Sequence, residues 1–446
     1  MRTKPASVPR QTAGFSKAFD GLISCPKLEA AIQYKKSPRG RPPKISVKDL
    51  VRTLVFHMMY GAGTLVEHLA LLTGLRMSGS SVSERRQSIP WEVFARILDE
   101  ALWPLAQQSK HVEAFYRGLR LVAIDGTQFS LVNTPQILKR CTKAATRRLK
   151  AAFAKLNAVV LLEVGLHNPL AAAIDPGQSE WALALALIGK LPAGSLLLAD
   201  RLYGCARFVW GLRQHCESVG SFFLVRARLQ LQSTVVRRLA DGSAIVGIPL
   251  RAASGRRKIE RYFELREIWV KVKRPGFRVH KLRLWTNLLD ARAHPAQELA
   301  RLYTQRWEQE LYYRQMKLEL RRSELLQSQT VETAAQEVAA LVLATALIAQ
   351  ERAQAAAGEF PVLRVSFVKV LQLLQPLWLV FALGEDLLSQ RQKHQLVDRF
   401  YAQMRAMVTG KRRSRSCPRA VRQPVRGWPR KTKNSSCEGE IAYEVV

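Results

Sequence analysis

Two apolar runs in this chain of 446 residues each end in an aspartate, and this pattern constrains the fold most. Leu119–Ile124 is followed by Asp125, and Leu196–Ala199 is followed by Asp200. Short, mostly apolar runs predict buried strands of the kind that helices cover on both faces. Open α/β sheets carry their chemistry at the carboxyl ends of such strands. We therefore predict that the two aspartates lie at one functional edge of a sheet.

The order of the predicted elements indicates the fold class. Two more apolar runs (157–164 and 170–174) and a helix capped by Ser179 separate the two aspartates. A helix and a strand follow Asp200, and a later helix carries Glu310. This is the element order of a ribonuclease-H-like sheet. We predict an α/β protein with a ribonuclease-H-like catalytic core.

Residues 226–292 interrupt that core with a different pattern. Apolar and polar residues alternate there in four segments, which glycine and proline separate. The segments are 233–239, 244–250, 261–272 and 278–287. Period-two alternation of this kind is typical of antiparallel strands. We expect an antiparallel β insertion between the second acidic residue and the third.

The chain is too long for one small domain, and its composition changes along its length. We predict seven segments: a basic flexible arm (1–45), a helical DNA-binding domain (46–118), the first part of the core (119–225), the β insertion (226–292), the second part of the core with the catalytic helix (293–355), C-terminal helices (356–410) and a basic tail (411–446). Ser46 is the predicted N-cap of the first helix. Because the N-terminal helices contain no clear recognition helix, a helical cap on the core is an alternative to DNA binding.

The formal net charge of +35 points to a polyanionic partner. Self-repulsion on this scale is usually offset by nucleic acid, and an acidic membrane surface is the alternative. The longest apolar run, Val338–Ala349, is too short to cross a bilayer, so we predict a buried helix and no membrane partner. The six cysteines form no C-x-x-C pair and have no zinc-ligand spacing. Together with the lack of a signal peptide, they favour reduced thiols in the cytoplasm.

Both ends of the chain carry basic segments that suit DNA. Pro38-Arg39-Gly40-Arg41-Pro42 resembles an AT-hook, so we predict that Arg39 and Arg41 contact DNA in a narrow minor groove. A basic linker without groove preference is the alternative. From Arg399 to Cys437 the chain has no Asp or Glu, which favours an extended tail lying on phosphates. A solvated, disordered tail is the alternative.

Four residues share one face of the helix predicted to begin near Pro295: Tyr303, Arg306, Glu310 and Lys317. On an ideal α-helix the other three lie within about 60° of Tyr303, whereas Glu308 points about 140° away. A carboxylate flanked by cations is the arrangement required to hold a metal ion and phosphates together.

The acidic residues suggest a divalent-metal site. A lone aspartate after a strand most often caps a helix or forms a turn. Two of them together with a helical glutamate between cations favour metal binding, and hard oxygen ligands select Mg²⁺ or Mn²⁺ over zinc. Two such ions about 3.5–4 Å apart can activate a water or a 3′-hydroxyl for in-line displacement. The three carboxylates must then converge despite their separation in sequence.

The spacing Tyr303-x2-Arg306-x3-Glu310-x6-Lys317 resembles, at every position, the signature of DDE transposases of the insertion-sequence-four family. Trp307 after the arginine is also typical of that family. The segments 124–127 and 199–204 resemble its first and second acidic blocks. The resemblance covers residues 115–325 and the basic tail.

This resemblance implies a ribonuclease-H-like core with a β insertion before the glutamate. It implies catalytic metal ligands at Asp125, Asp200 and Glu310, and contacts to DNA phosphates from Tyr303, Arg306 and Lys317. We add Arg314, on the same helix, as a predicted DNA contact. Some family members flip a base against a tryptophan of the insertion. Trp269 and Trp285 are candidates, with a role in the core as the alternative.

The expected function is that of a bacterial transposase dependent on Mg²⁺, with Mn²⁺ able to substitute. It is expected to bind double-stranded DNA at the terminal inverted repeats of its element, to cut it and to join the end to target DNA. Pairing of two ends implies a dimer on DNA, in a cytoplasmic, nucleoid-associated protein. The alternatives are a metal-dependent nuclease on the same fold and a domesticated or inactive DNA-binding protein.

Overall fold

The computed structural model of the chain describes residues 43–141, 143, 151–175, 178–252, 258–273, 279–320, 325–384, 387–410 and 441–445. Arg39, Arg41 and the basic stretch of the tail lie outside these residues, and their predicted contacts stay predictions. The described chain is a mixed α/β protein, in which helices surround one large sheet.

The helices are α1 (Val47–Tyr60), α2 (Leu65–Thr73), α3 (Gly79–Gln87), α4 (Trp91–Ala101), α5 (Pro135–Arg140), α6 (Glu180–Ile188), α7 (Ala206–Ser218), α8 (Ala296–Tyr303), α9 (Trp307–Gln315), α10 (Val331–Ala356), α11 (Phe367–Gly384) and α12 (Gln390–Ala406). The strands are β1 (Phe115–Tyr116), β2 (Leu119–Leu131), β3 (Ala154–Glu163), β4 (Asn168–Ile174), β5 (Ser195–Ala199), β6 (Phe222–Arg226), β7 (Thr234–Arg238), β8 (Ala244–Arg251), β9 (Ile259–Lys273), β10 (His280–Thr286), β11 (Leu325–Leu326) and β12 (Ala442–Val445).

The main path of the sheet has the strand order β4-β3-β2-β5-β6-β10-β9-β8-β7. β2, β5 and β6 run parallel to one another, whereas β3 and β4 are antiparallel to their neighbours. Parallel strands must be covered on both faces. Accordingly, α6 and α7 pack with one apolar cluster of the sheet, and α8 packs with another. The predicted core strands are confirmed, with ends shifted by a few residues, except that β2 continues well beyond its predicted end.

The four strands predicted in the insertion are confirmed as β7, β8, β9 and β10. They form an antiparallel ladder, as expected for segments of period-two alternation that glycine and proline separate in the sequence. β10 also pairs with the core strand β6, with Trp285 opposite Val225. The insertion therefore continues the core sheet. The last described strand, β12, pairs with β9, and Glu444 lies 2.6 Å from Lys273.

The N-terminal helices pack on the long helix α10. Ser46 caps α1 as predicted, and its hydroxyl accepts the Asp49 N–H at 3.0 Å. From α3, Arg86 donates to Ser328 and to the Thr333 carbonyl beside the start of α10. This packing makes α1–α4 part of one apolar core with α10. A role of these helices in DNA binding stays a prediction.

Two described helices, α10 and α11, are long and apolar enough to cross a membrane by length and composition. α10 extends well beyond the apolar run that the sequence singled out, because its polar ends are buried too. In its most apolar window 94% of the residues are buried inside the protein, and in α11 the share is 33%. Burial of α10 agrees with the prediction of a core helix, and length and composition alone are weak indications of a membrane span.

Candidate active site at the ends of β2 and β5

The register of two parallel strands brings Asp125 and Asp200 level with each other. The last parallel pair of β2 and β5 is Ile124 with Ala199, and each aspartate follows directly. The prediction that β2 ends at Asp125 was wrong, since β2 continues to Leu131. It does so because β3 pairs with it on the other side throughout this stretch. Asp125 thus lies at the end of parallel pairing but within a strand.

The segment that carries Glu310 is not one continuous α-helix. α8 ends at Tyr303, a 3₁₀ turn covers Thr304–Arg306, α9 follows, and a π-helical turn covers Met316–Leu320. The prediction of a single regular face from Tyr303 to Lys317 was therefore wrong in its geometry. Arg306 and Glu310, four residues apart, still lie together. Glu308 points away from them as predicted and contacts His167.

Arg306 joins two of the predicted catalytic acids. Its Nη2 donates to Glu310 Oε1 at 2.8 Å, and its Nη1 lies 3.4 Å from Asp125 Oδ2. The side chains of Arg306, Asp125 and Glu310 are 12%, 20% and 39% exposed. An unpaired carboxylate in such a position is costly, so the guanidinium supplies the neutralising charge.

The surroundings of Asp125 favour its protonated form. Burial raises its pKa to about 7, against the Arg306 charge and the Gly126 N–H. The negative charges of Glu180 and Asp200 add to the increase in this pKa. Burial lowers the pKa of Arg306, but its hydrogen bond to Glu310 and the charges of Asp200 and Asp125 more than offset this, so its pKa is raised. Both residues therefore interact with Asp200.

The donor atoms at this edge suit a hard divalent cation, since Asp125, Asp200 and Glu310 offer only carboxylate oxygens. The distances between these side chains do not suit a metal ion in the same way. Within the described ranges, no three acidic, histidine or cysteine side chains are close enough together to hold a metal ion. The guanidinium of Arg306 lies between Asp125 and Glu310. The predicted convergence of three carboxylates on one metal-bridging position is therefore not present in this arrangement.

The predicted DNA contacts differ in accessibility. Tyr303 is buried, and its hydroxyl donates to the Ala199 carbonyl at 3.3 Å. Lys317 is partly buried, donates to the Gln128 carbonyl at 2.8 Å and lies over the Phe129 ring. Arg314 is exposed on α9. In this arrangement Tyr303 and Lys317 support the ends of β5 and β2, and Arg314 is open to solvent.

Residues 116–347, just over half of the chain, match a family model described as the transposase DDE domain. The chain belongs to the transposase DDE domain family. The resemblance drawn above from the spacing of Tyr303, Arg306, Glu310 and Lys317 is thereby confirmed.

Two curated relatives of this DDE transposase domain come from Escherichia coli (strain K12). The transposase InsG for insertion sequence element IS4 is 28% identical over 275 residues, which are 60% of each chain. The putative transposase InsZ is 31% identical over 96 residues, 21% of this chain and 32% of the relative. The chain thus matches less than two thirds of the length of either relative.

A solved structure titled as a piggyBac transposase synaptic complex with hairpin DNA aligns with 90% of this chain and 86% of its own. The TM-score is 0.47 and the identity is 9%, a likeness too distant to bear on the site of this DDE domain.

The sequence did not reveal how α9 is seated in the DDE domain. His167, in the turn between β3 and β4, is buried, and its two ring nitrogens contact Gln315 Oε1 at 2.9 Å and Glu308 Oε2 at 2.8 Å. On the same helix, Tyr313 donates to the Asp125 carbonyl at 2.5 Å. These contacts fix the helix that carries Glu310 against β2. The seven-residue spacing of Glu308 and Gln315 is the one signal in the sequence, since it places both on one helical face.

The two tryptophans of the insertion share one buried carboxylate. The indole N–H groups of Trp285 and Trp269 donate to Glu267 at 2.8 and 2.7 Å, and Arg283 donates to it at 2.8 Å. Trp285 is completely buried. The structure therefore places Trp285 in the core of the DDE domain, the alternative stated for it above.

Proposed function

We propose that this chain is a DNA transposase, which binds the terminal inverted repeats of its insertion sequence and catalyses strand cleavage and strand transfer. The proposal rests on membership in the transposase DDE family and on one arrangement of acidic residues. Asp125 and Asp200 lie level with each other, each directly after the last parallel pair of β2 and β5. Arg306 and Glu310 belong to a separate helical segment, and Arg306 contacts both Glu310 and Asp125. Three acids that are far apart in sequence thus lie near the same edge of the sheet.

We also propose that the core is ribonuclease-H-like. Its five strands have the order β4-β3-β2-β5-β6, with two antiparallel strands on one side of three parallel ones. Asp125, Asp200 and Glu310 are its proposed catalytic residues and would hold Mg²⁺, for which Mn²⁺ can substitute. When bound, the metal would activate the attacking oxygen and stabilise the leaving one. The guanidinium of Arg306 has to release at least one carboxylate before the three acids can share an ion.

A DNA phosphate is a suitable new partner for Arg306. A guanidinium forms bidentate hydrogen bonds with phosphate as readily as with carboxylate. Lys317 and the exposed Arg314 are further cations of the same segment, and we propose them as further phosphate contacts. Arg39 and Arg41 are proposed contacts of the arm, and Tyr303 contributes by supporting the end of β5. Synapsis of two ends would make the protein at least a dimer on DNA, in a cytoplasmic, nucleoid-associated setting.

Strand transfer distinguishes the proposed transposase from a metal-dependent nuclease on the same fold. The purified protein is incubated with Mg²⁺, a supercoiled target plasmid and DNA carrying the inverted repeats that flank its own gene. A transposase gives cut ends covalently joined to the plasmid. Cleavage without joining supports the nuclease. Specific binding without cleavage, in Mg²⁺ and in Mn²⁺, supports an inactive or domesticated DNA-binding protein.

A further inference from the structure

A fourth carboxylate lies beside the proposed catalytic acids. Glu180 is the first residue of α6, which Ser179 caps. Its side chain lies directly on Gly126, the residue after Asp125. A Cβ atom placed on Gly126 would be 2.2 Å from Cδ of Glu180 and 2.5 Å from its Oε1. Only a residue without a side chain leaves room for Glu180 at this position.

The same carboxylate contacts the segment that follows Asp200. The buried Tyr203 hydroxyl donates to Glu180 Oε1 at 2.9 Å. Tyr203 is itself tied to Asp200, because its N–H donates to the Asp200 carbonyl at 3.1 Å. Among the described residues, the Glu180 carboxylate accepts its hydrogen bond from Tyr203. Glu180 therefore touches both segments that carry an aspartate of the site.

This contact lies beyond the end of strand pairing. The parallel ladder of β2 and β5 stops at Ile124 and Ala199, so it does not extend to Asp125 and Asp200. Past this point the two segments are connected through Gly126, Glu180 and Tyr203. An acidic side chain in the first turn of a helix is also stabilised by the helix dipole. That effect alone would not require a glycine beneath the Glu180 carboxylate or a buried tyrosine bonded to it.

We propose that Glu180 is a positioning residue of the site, which holds the segments that carry Asp125 and Asp200 in a fixed relation to each other through its contacts with Gly126 and Tyr203. This inference rests on the proposed function, since the separation of the acids matters only if they act together. Residues that orient metal ligands typically change metal affinity by about 10- to 100-fold when they are removed.

Direct titration with Mn²⁺ in the absence of DNA, followed by electron paramagnetic resonance of the free ion, tests the proposal on the full chain. Glu180→Ala and Tyr203→Phe should each weaken Mn²⁺ binding by about 10-fold or more. The double variant should lose no more than either single variant, because both break one contact. Glu180→Gln should recover most of the affinity, since its amide oxygen still accepts from Tyr203.

Gly126→Ala offers an independent route to the same contact. The new methyl group has to displace the end of the Glu180 side chain. It should weaken Mn²⁺ binding in the wild-type background and have little further effect in a Glu180→Ala background. Glu332→Ala is the matched control, because Glu332 is a partly exposed acid in the first turn of α10 and pairs with Arg140. Its Mn²⁺ affinity should equal that of the wild type.

Melting temperatures without metal separate loss of folding from loss of positioning. The proposal is overturned if folded Glu180→Ala binds Mn²⁺ as the wild type does, or if Glu180→Gln is as impaired as Glu180→Ala. If the wild-type protein itself neither binds Mn²⁺ nor cuts its end DNA, the proposed function fails instead.

Discussion

The guanidinium of Arg306 lies 2.8 Å from the carboxylate of Glu310, one helical turn further along the chain. The same guanidinium lies 3.4 Å from Asp125 on β2, so one cation links the helix segment to the strand. This link places Glu310 at the edge of the sheet where β2 and β5 end their pairing.

Arg306→Ala should reduce cleavage of end DNA by at least about 100-fold, because it removes a preorganised cation from an acidic site. Arg306→Lys should not restore activity, since an ammonium lacks the planar fork with which a guanidinium bonds to two oxygens of a phosphate. Arg314→Ala, an exposed change on α9, is the control. Arg314→Ala should weaken DNA binding and reduce the salt dependence of that binding. The protein–DNA complexes that still form should cleave their DNA normally. Normal cleavage by Arg306→Ala would remove Arg306 from the site.

His167→Ala should lower the free energy of unfolding by about 1–3 kcal/mol, because it leaves Glu308 and Gln315 without their buried partner. Urea denaturation measures the change. His394→Ala, at an exposed position on α12, should have almost no effect. Equal stability of both variants would show that His167 does not hold α9 in place.

Asp241→Ala should detach the insertion from the start of α8. Asp241 accepts the Ala296 N–H at 2.8 Å and pairs with Arg266, which is completely buried. Loss of one partner leaves a buried cation unpaired, which typically lowers stability by about 3–5 kcal/mol. Thermal unfolding followed by circular dichroism measures this. Asp99→Ala, which breaks an exposed pair with Lys190, should change stability by less than about 1 kcal/mol. Similar losses in the two variants would contradict the assignment.

Glu351 should make stability depend on pH. Burial raises its pKa to about 7, against the hydrogen bond from the Tyr401 hydroxyl at 2.7 Å. The folded state therefore holds this proton more tightly than the unfolded state. The stabilisation is complete below the ordinary glutamate pKa and is lost as pH rises towards 7. Glu351→Gln should be more stable than the wild type by about 1–3 kcal/mol at pH 8, with the difference shrinking at pH 5. Parallel curves of stability against pH for the two proteins would contradict this.

Local patterns in the sequence predicted much of this fold. β7 to β10 were predictable because alternation and turn residues are local signals. The continuation of β2 past Asp125 was not, since it depends on pairing with β3. The turns on either side of α9 were missed because an ideal α-helix was assumed.

The site was predictable in part. The spacing of Arg306 and Glu310 identified their contact, because residues four apart on a helix are neighbours. Glu180 was interpreted only as part of a capped helix. Its contacts with Gly126 and Tyr203 join residues far apart in sequence, which periodicity cannot reveal. The buried position of Tyr303 likewise depends on where α8 packs on the sheet.

The most direct test of the central claim measures Mn²⁺-dependent nicking of the protein's own end DNA by single variants of the three acids. Asp125→Asn, Asp200→Asn and Glu310→Gln should each abolish nicking while still binding that DNA. Glu319→Gln, exposed in the π-helical turn, should nick as the wild type does. Nicking that persists in any of the three acid variants would contradict a shared catalytic site.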